Sequence, residues 1–283
     1  SMWTEHINHE PALWMMHTGR TIPGRPGIGS WVVYGLGAET RELPAYVVLD
    51  DPRGLPVDGI RNWSSGWLPP QYQGTRFRAA GTPVWNLIPT RKLTPELAAA
   101  RRALLARLDR AHRDARPGET ELDARIGSYE LAARMQLSAT AALDVSRETQ
   151  ATQDLYGLGN DTTDSYGRRC LLARRLVERG VRYVQLFING QIWDNHTGLE
   201  SGLRSSCART DRPVAALLTD LKQRGMLDET LVIWGGEFGR LPISQSKNGR
   251  DHNRQGFTVW LAGGGVKAGH VHGATDEFGY AAV

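Results

Sequence analysis

Cysteine is scarce: Cys170 and Cys207 are the two in 283 residues. They could form one disulfide at most, which excludes a disulfide-framed scaffold. Cys170 lies beside Leu171 and Leu172 in a helical pattern and reads as a buried free thiol, so the compartment stays open. No apolar run approaches the roughly eighteen residues that a membrane helix needs, and no membrane association is expected. Charge of one sign does not accumulate either. There are 34 Lys and Arg against 30 Asp and Glu, a net charge of +4, and the basic residues are scattered. That implies weak attraction to small anions and speaks against nucleic acid as a partner. A G-x-S-x-G block is also missing, so a serine esterase lacks its nucleophile turn.

What remains is an ordinary globular composition, 40% hydrophobic and 23% charged, long enough for one large α/β domain. Residues 18–93 form a Gly/Pro/Trp-rich segment in which "SWVVYG" and "AYVVLD" read as short strands. The irregular stretch from Asp50 to Thr82 either lines a site or covers a core with its own Trp and Tyr residues. A helical hairpin is expected over about 94–147. Thr94 is its N-cap, Pro95 takes the first helical position, and Leu104, Leu105 and Leu108 form an apolar stripe. From Asp164 on, helices alternate with the strands "VRYVQLFI", "TLVIWGG" and "GFTVWLAGGG". That alternation implies a mainly parallel sheet within a single domain spanning 1–283, with its site beyond the carboxyl ends of the strands. A sheet of this kind has an unpaired edge, and self-association into a homo-oligomer is the expected cover for it.

Polar groups gather at those strand ends. Asp194 and His196 follow the first strand, Glu237 and Arg240 the second, and Asp251 and His252 precede the third. Carboxylates and imidazoles converging from three segments make a hydrolytic metal site, with Asp194, His196, Glu237, Asp251 and His252 as candidate ligands. Mixed oxygen and nitrogen donors suit zinc, with manganese or calcium as alternatives. A carboxylate such as Glu237, leaving an apolar strand, needs a partner to offset its burial. Arg240, Lys247, Arg250 and Arg254 flank the site. Arg240 is assigned a catalytic, charge-stabilising role and the other three contact with an anionic substrate.

The motifs "TLVIWGGEFGRLPISQ", "GRDHNRQGFTVWLAGGGVKAG" and "GATDEFGYAAV" resemble the closing blocks of a large bacterial family of uncharacterised proteins near the sulfatases, within the alkaline phosphatase superfamily. "MWTEHINHEPALWMMHTG", "GIGSWVVYGLGAE", "LPAYVVLDDPRGLPVDGIRNW" and "CLLARRLVERGVRYVQLF" followed by "WDNH" resemble its other blocks, so the resemblance covers essentially the whole chain. It implies an α/β sandwich binding one or two divalent metals at the strand ends and cleaving phosphate or sulfate esters. Asp194 and His196 resemble the Asp and His of one metal position, and His252 resembles the last His ligand. Glu237 stands where the superfamily often has the Asp of an Asp-His-Gly motif, and Phe238 replaces that His, which leaves a second metal position incomplete. The Gly-Gly-Pro-Ser block and a closing His-Asp-Leu-His segment are absent, so the resemblance implies a fold truncated at both ends. His9, with His6 beside it, is the nearest substitute for the missing catalytic group. The expected function is a metal-dependent, promiscuous hydrolase of phosphate or sulfate esters, including phosphodiesters, phosphotriesters and aryl sulfates. The alternative is a catalytically reduced remnant that binds a metal or an anion.

Overall fold

The computed structural model describes residues 1–78, 84 and 93–283, with 136–140 as backbone only. Helix α1 (His9–Thr18) stops at Gly19, whose left-handed φ of 72° turns its N–H onto the Met15 carbonyl. Helix α2 (Ile28–Leu36) replaces the strand expected over "SWVVYG". Its β-branched and aromatic residues favour a strand, but burial decides otherwise. Gly29, Ser30 and Val33 share one buried helical face, while Trp31 and Tyr34 point to solvent. A Cβ on Gly29 would lie 2.5 Å from the Tyr46 ring, so only glycine lets the helix sit this close to the sheet.

Strands β1 (Tyr46–Leu49) and β2 (Thr75–Phe77) follow, then the expected hairpin of α3 (Pro95–Asp114) and α4 (Thr120–Leu143). Thr94 does cap α3, its hydroxyl accepting from Leu97 N–H at 3.3 Å. An Arg113–Asp123 ion pair at 3.1 Å ties the two helices. The Leu104, Leu105 and Leu108 stripe is exposed rather than packed. Next come α5 (Gln150–Leu155), α6 (Asp164–Val177), β3 (Tyr183–Leu186) and α7 (Leu199–Gln223). Helix α7 carries Pro213 inside. The chain then continues through β4 (Val232–Trp234), β5 (Gly239–Arg240), β6 (His252–Asn253) and β7 (Trp260–Ala262).

The fold is α/β, built on a small parallel sheet of three strands in the order β2-β1-β3. The expected parallel sheet is present, but of the strands "VRYVQLFI", "TLVIWGG" and "GFTVWLAGGG" it includes only the first. Strands β4 and β7 pair with each other, antiparallel, with Ile233 opposite Leu261. A parallel pairing needs a crossover helix, and the chain between these two strands holds only the short β5–β6 pair. Strand β1 is buried on both faces. Val47 and Leu49 pack with Phe77, Leu171, Leu176 and Ala216, while Tyr46 and Val48 pack with Val33, Trp63 and Phe187. Successive side chains thus serve two cores, as the period of a strand requires. Cys170 is buried and free, and burial pushes its thiol up to about 12, which makes it inert. Among the described residues no helix is long and apolar enough to cross a membrane.

A polar thread runs under this sheet. The Tyr46 hydroxyl donates to Gln185 Oε1, and Gln185 Nε2 lies 3.3 Å from His17 Nδ1. The His17 ring sits edge-on to Phe187, its Nε2 has no partner, and burial lowers its pKa from 6.5 to about 4. The unfolded chain takes up this proton near pH 6.5, whereas the folded chain resists it until about pH 4. Stability is therefore expected to fall as pH drops through that window, by roughly 2–3 kcal/mol for this group. Urea unfolding at pH 7 and pH 4.5 checks it: His17→Phe should shrink the difference by about that amount, and an unchanged difference contradicts the assignment.

Candidate metal centre

The site begins with the loop that leaves β3. Strand β1 is followed directly by Asp50 and Asp51, both buried. Asp51 Oδ2 accepts from Arg53 Nη2 at 3.0 Å and from Arg169 Nη2 and the Asn189 N–H at 3.2 Å each. Burial alone raises the Asp51 carboxyl, but the Arg53 hydrogen bonds and the Arg169 charge bring it down to about 2. Arg169 also donates to the Phe187 carbonyl, so one buried ion pair pins the start of the loop. Further along, Ser206 of α7 donates to the Ile192 carbonyl at 2.7 Å, and Asp194 N–H closes a turn onto Gln191 O at 2.8 Å. Gln191 takes a left-handed φ of 45° in that turn. Asp194 is thereby fixed from both the sheet and α7.

Around Asp194 the expected residues come together. His9, the first residue of α1, places Nε2 3.1 Å from Asp194 Oδ2. His252 and His196 each place Nε2 3.1 Å from Asp194 Oδ1, and the two Nε2 atoms are 3.1 Å apart. His9, Asp194 and His252 each offer one donor atom within 4.8 Å of the others, the spacing of a group that could hold a metal ion. All three are mostly enclosed, whereas His196 is 48% exposed and marks the open side. In the β5–β6 pair Arg240 stands opposite His252, and cross-strand partners share a face. Arg240 accordingly reaches Asp194 Oδ1 as well. Burial raises the Asp194 carboxyl, but the Arg240 hydrogen bond and charge outweigh it and lower it to about 2.

Glu237 and Asp251 take different places from the three-residue group. Glu237 Oε1 meets His9 Nδ1 at 2.5 Å. Asp251 Oδ1 meets His196 Nδ1 at 2.8 Å, and its Oδ2 accepts from the Gln245 N–H at 2.7 Å; these bonds, His196 first, hold its carboxyl below the ordinary range. Phe238 is buried against the cluster, its ring centroid 4.4 Å from His252 and 5.0 Å from His9. His6 stays apart, its Nδ1 accepting from the Asn8 N–H at 3.1 Å. Arg250 turns back onto the Gly249 carbonyl, Arg254 donates to the Glu5 carbonyl, and Lys247 is exposed. Among the described residues no hydrogen bond or ion pair joins these three cations to the cluster.

Two further supports of the site are not legible in the residue types. The Ile7 carbonyl lies 2.8 Å from His252 Nδ1, and a backbone acceptor leaves no mark in the residue type. Gly249 passes so close to the site that a Cβ would sit 1.7 Å from the His196 carbonyl oxygen. Gly249→Ala is therefore expected to push the 194–196 loop out of place, costing roughly 1–3 kcal/mol of stability. Metal affinity, measured by titration, should weaken with it. An alanine variant matching the wild type in both would contradict the packing described.

The chain is thus an α/β protein with a histidine- and carboxylate-lined centre beside a small parallel sheet. It belongs to the family described as protein of unknown function (DUF1501), whose model matches residues 1–283. No curated protein and no solved structure gives a significant match.

Proposed function

We propose that the protein is a metal-dependent hydrolase of phosphate or sulfate esters, related to the alkaline phosphatase and sulfatase superfamily. The observation that carries the proposal is the meeting of His9, Asp194 and His252 within 4.8 Å, from three distant stretches of chain. The donor set fits the ion: two imidazole nitrogens and one carboxylate suit zinc or manganese and fit the oxygen-seeking calcium poorly. An ion held there supplies Lewis acidity to the ester and lowers the pKa of water for attack. Arg240 stands beside the same carboxylate and is placed to neutralise charge that develops on the transferring group. The exposed edge at His196 gives an ester in solution a way in.

Phe238 favours a second reading, an anion- or metal-binding remnant without turnover. Its ring packs 4.4 Å from that of His252, and by the resemblance it replaces the His that would complete a second metal position. Hydrolysis of chromogenic aryl phosphate, phosphodiester and sulfate esters separates the two. Turnover that a chelator abolishes and added zinc or manganese restores supports the hydrolase. Stoichiometric metal uptake with no turnover of any of these esters supports the remnant.

A further inference from the structure

Three imidazoles surround Asp194, and all three are oriented in one way. His9 Nδ1 faces Glu237 Oε1 at 2.5 Å, His196 Nδ1 faces Asp251 Oδ1 at 2.8 Å, and His252 Nδ1 faces the Ile7 carbonyl at 2.8 Å. A carbonyl oxygen can only accept, and an ionised carboxylate likewise, so each Nδ1 is the ring nitrogen that donates. In a neutral imidazole the other nitrogen is then a bare lone pair. The three Nε2 atoms all point inward, at 3.1 Å from the two Asp194 oxygens, with His196 and His252 at 3.1 Å from each other. Lone pairs facing one another and a carboxylate repel. Arg240 pairs with Asp194 Oδ1 and offsets part of this repulsion; a cation at the focus of the three nitrogens would remove the rest. Separations near 3 Å are also what donor atoms show along the edges of one coordination shell when each lies about 2.0–2.2 Å from the ion.

We infer that the centre is a three-histidine, one-aspartate site in which His196 is a fourth donor, while Glu237 and Asp251 are positioning residues that hold His9 and His196 in the donating orientation without touching the ion. This rests on the metal-site reading above and deepens it. Outer carboxylates of this kind fix the tautomer and ring orientation and raise ligand basicity. The arrangement also accounts for the acidity gathered here. Asp194, Glu237 and Asp251 would crowd each other's charge as direct ligands, whereas an imidazole between each outer carboxylate and the centre separates them. The ion selected is a borderline transition metal of the zinc, cobalt or manganese class, because three imidazoles outnumber one carboxylate.

The test reads metal binding, not turnover. Full-length protein stripped of metal is titrated with cobalt(II) and with zinc(II). The variants are Glu237→Gln, Glu237→Ala, Asp251→Asn and His196→Ala, each checked for fold by circular dichroism and thermal melting. Wild type is expected to take up one equivalent. The Glu237 and Asp251 variants should keep that stoichiometry and the cobalt absorption band shape, with affinity lower by about 10–100-fold. His196→Ala should change the band shape itself, because a donor is lost. A changed band shape in the Glu237 or Asp251 variants would make those carboxylates ligands and overturn the inference, as would affinities equal to wild type. A His196→Ala spectrum identical to wild type would remove His196 from the shell. Wild type that binds no ion would end both this inference and the metal-site reading, whereas tight binding in this pattern without ester hydrolysis would end only the hydrolase reading.

Discussion

His252→Ala is expected to reduce hydrolysis of an activated aryl phosphate or sulfate to the level of chelated wild type. His252 supplies one of the three enclosed donor atoms, and its ring packs against His9, His196 and Phe238. On the proposed reading, losing it would remove the ion and the nucleophile that the ion would supply together. Arg240→Ala should behave differently. Its guanidinium binds Asp194 and lies over the Phe238 ring, outside the donor set. Turnover should fall by roughly 10²-fold, the scale of losing one charge-stabilising group, with metal content unchanged. Elemental analysis beside the kinetics tells these outcomes apart. A His252→Ala protein that keeps both ion and activity would contradict the assignment.

The largest stability effect is expected far from the centre. Arg174 of α6 is 1% exposed and lies 2.8 Å from Asp220 Oδ2, 2.9 Å from Glu148 Oε2 and 2.7 Å from Glu178 Oε2. Tyr156 donates to the same Asp220 oxygen at 3.0 Å, and Arg224 holds the other at 2.7 Å. Burial lowers the Arg174 pKa, but the Glu148, Asp220 and Glu178 partners raise it further, so it stays charged. Arg174→Met would leave buried carboxylates short of their central cation, an expected cost of about 3–5 kcal/mol. Total stabilities are roughly 5–15 kcal/mol, so this variant should be close to unfolding at physiological temperature. Arg224→Met, at the solvent edge of the same network, should cost much less. Urea midpoints measure both, and an Arg174→Met loss below about 1 kcal/mol would contradict a central role for the network.

Much of this architecture was legible in the residues. Strands β1 and β3 stood out as short apolar runs between turn formers, and Thr94-Pro95-Glu96 marked the start of α3. The clustering of Asp194, His196, Glu237 and His252 followed from their places after or before predicted strands. Other features depended on tertiary contact. The run "SWVVYG" carries strand propensity and becomes a helix because Gly29, just before it, allows close approach to Tyr46 and Tyr183. Strands β4 and β7 look like members of the parallel sheet, yet local pairing joins them to each other. Within "CLLARRLVERG" nothing marks a partner for the arginines, yet Arg174 and Arg175 are buried, because Glu148 and Asp220 arrive from elsewhere to pair them. At the centre, His9 could be picked out as a functional candidate, but its place between Asp194 and Glu237 could not, since 185 and 228 residues separate it from them.

The most direct measurement is hydrolysis by protein stripped of metal, followed by readdition with bound metal determined on the same samples. The expected result is no turnover of aryl phosphate or sulfate ester without metal, and activity that returns in proportion to zinc or manganese bound at one ion per chain. Undiminished hydrolysis by metal-free protein would contradict the account, as would failure of the chain to bind either ion.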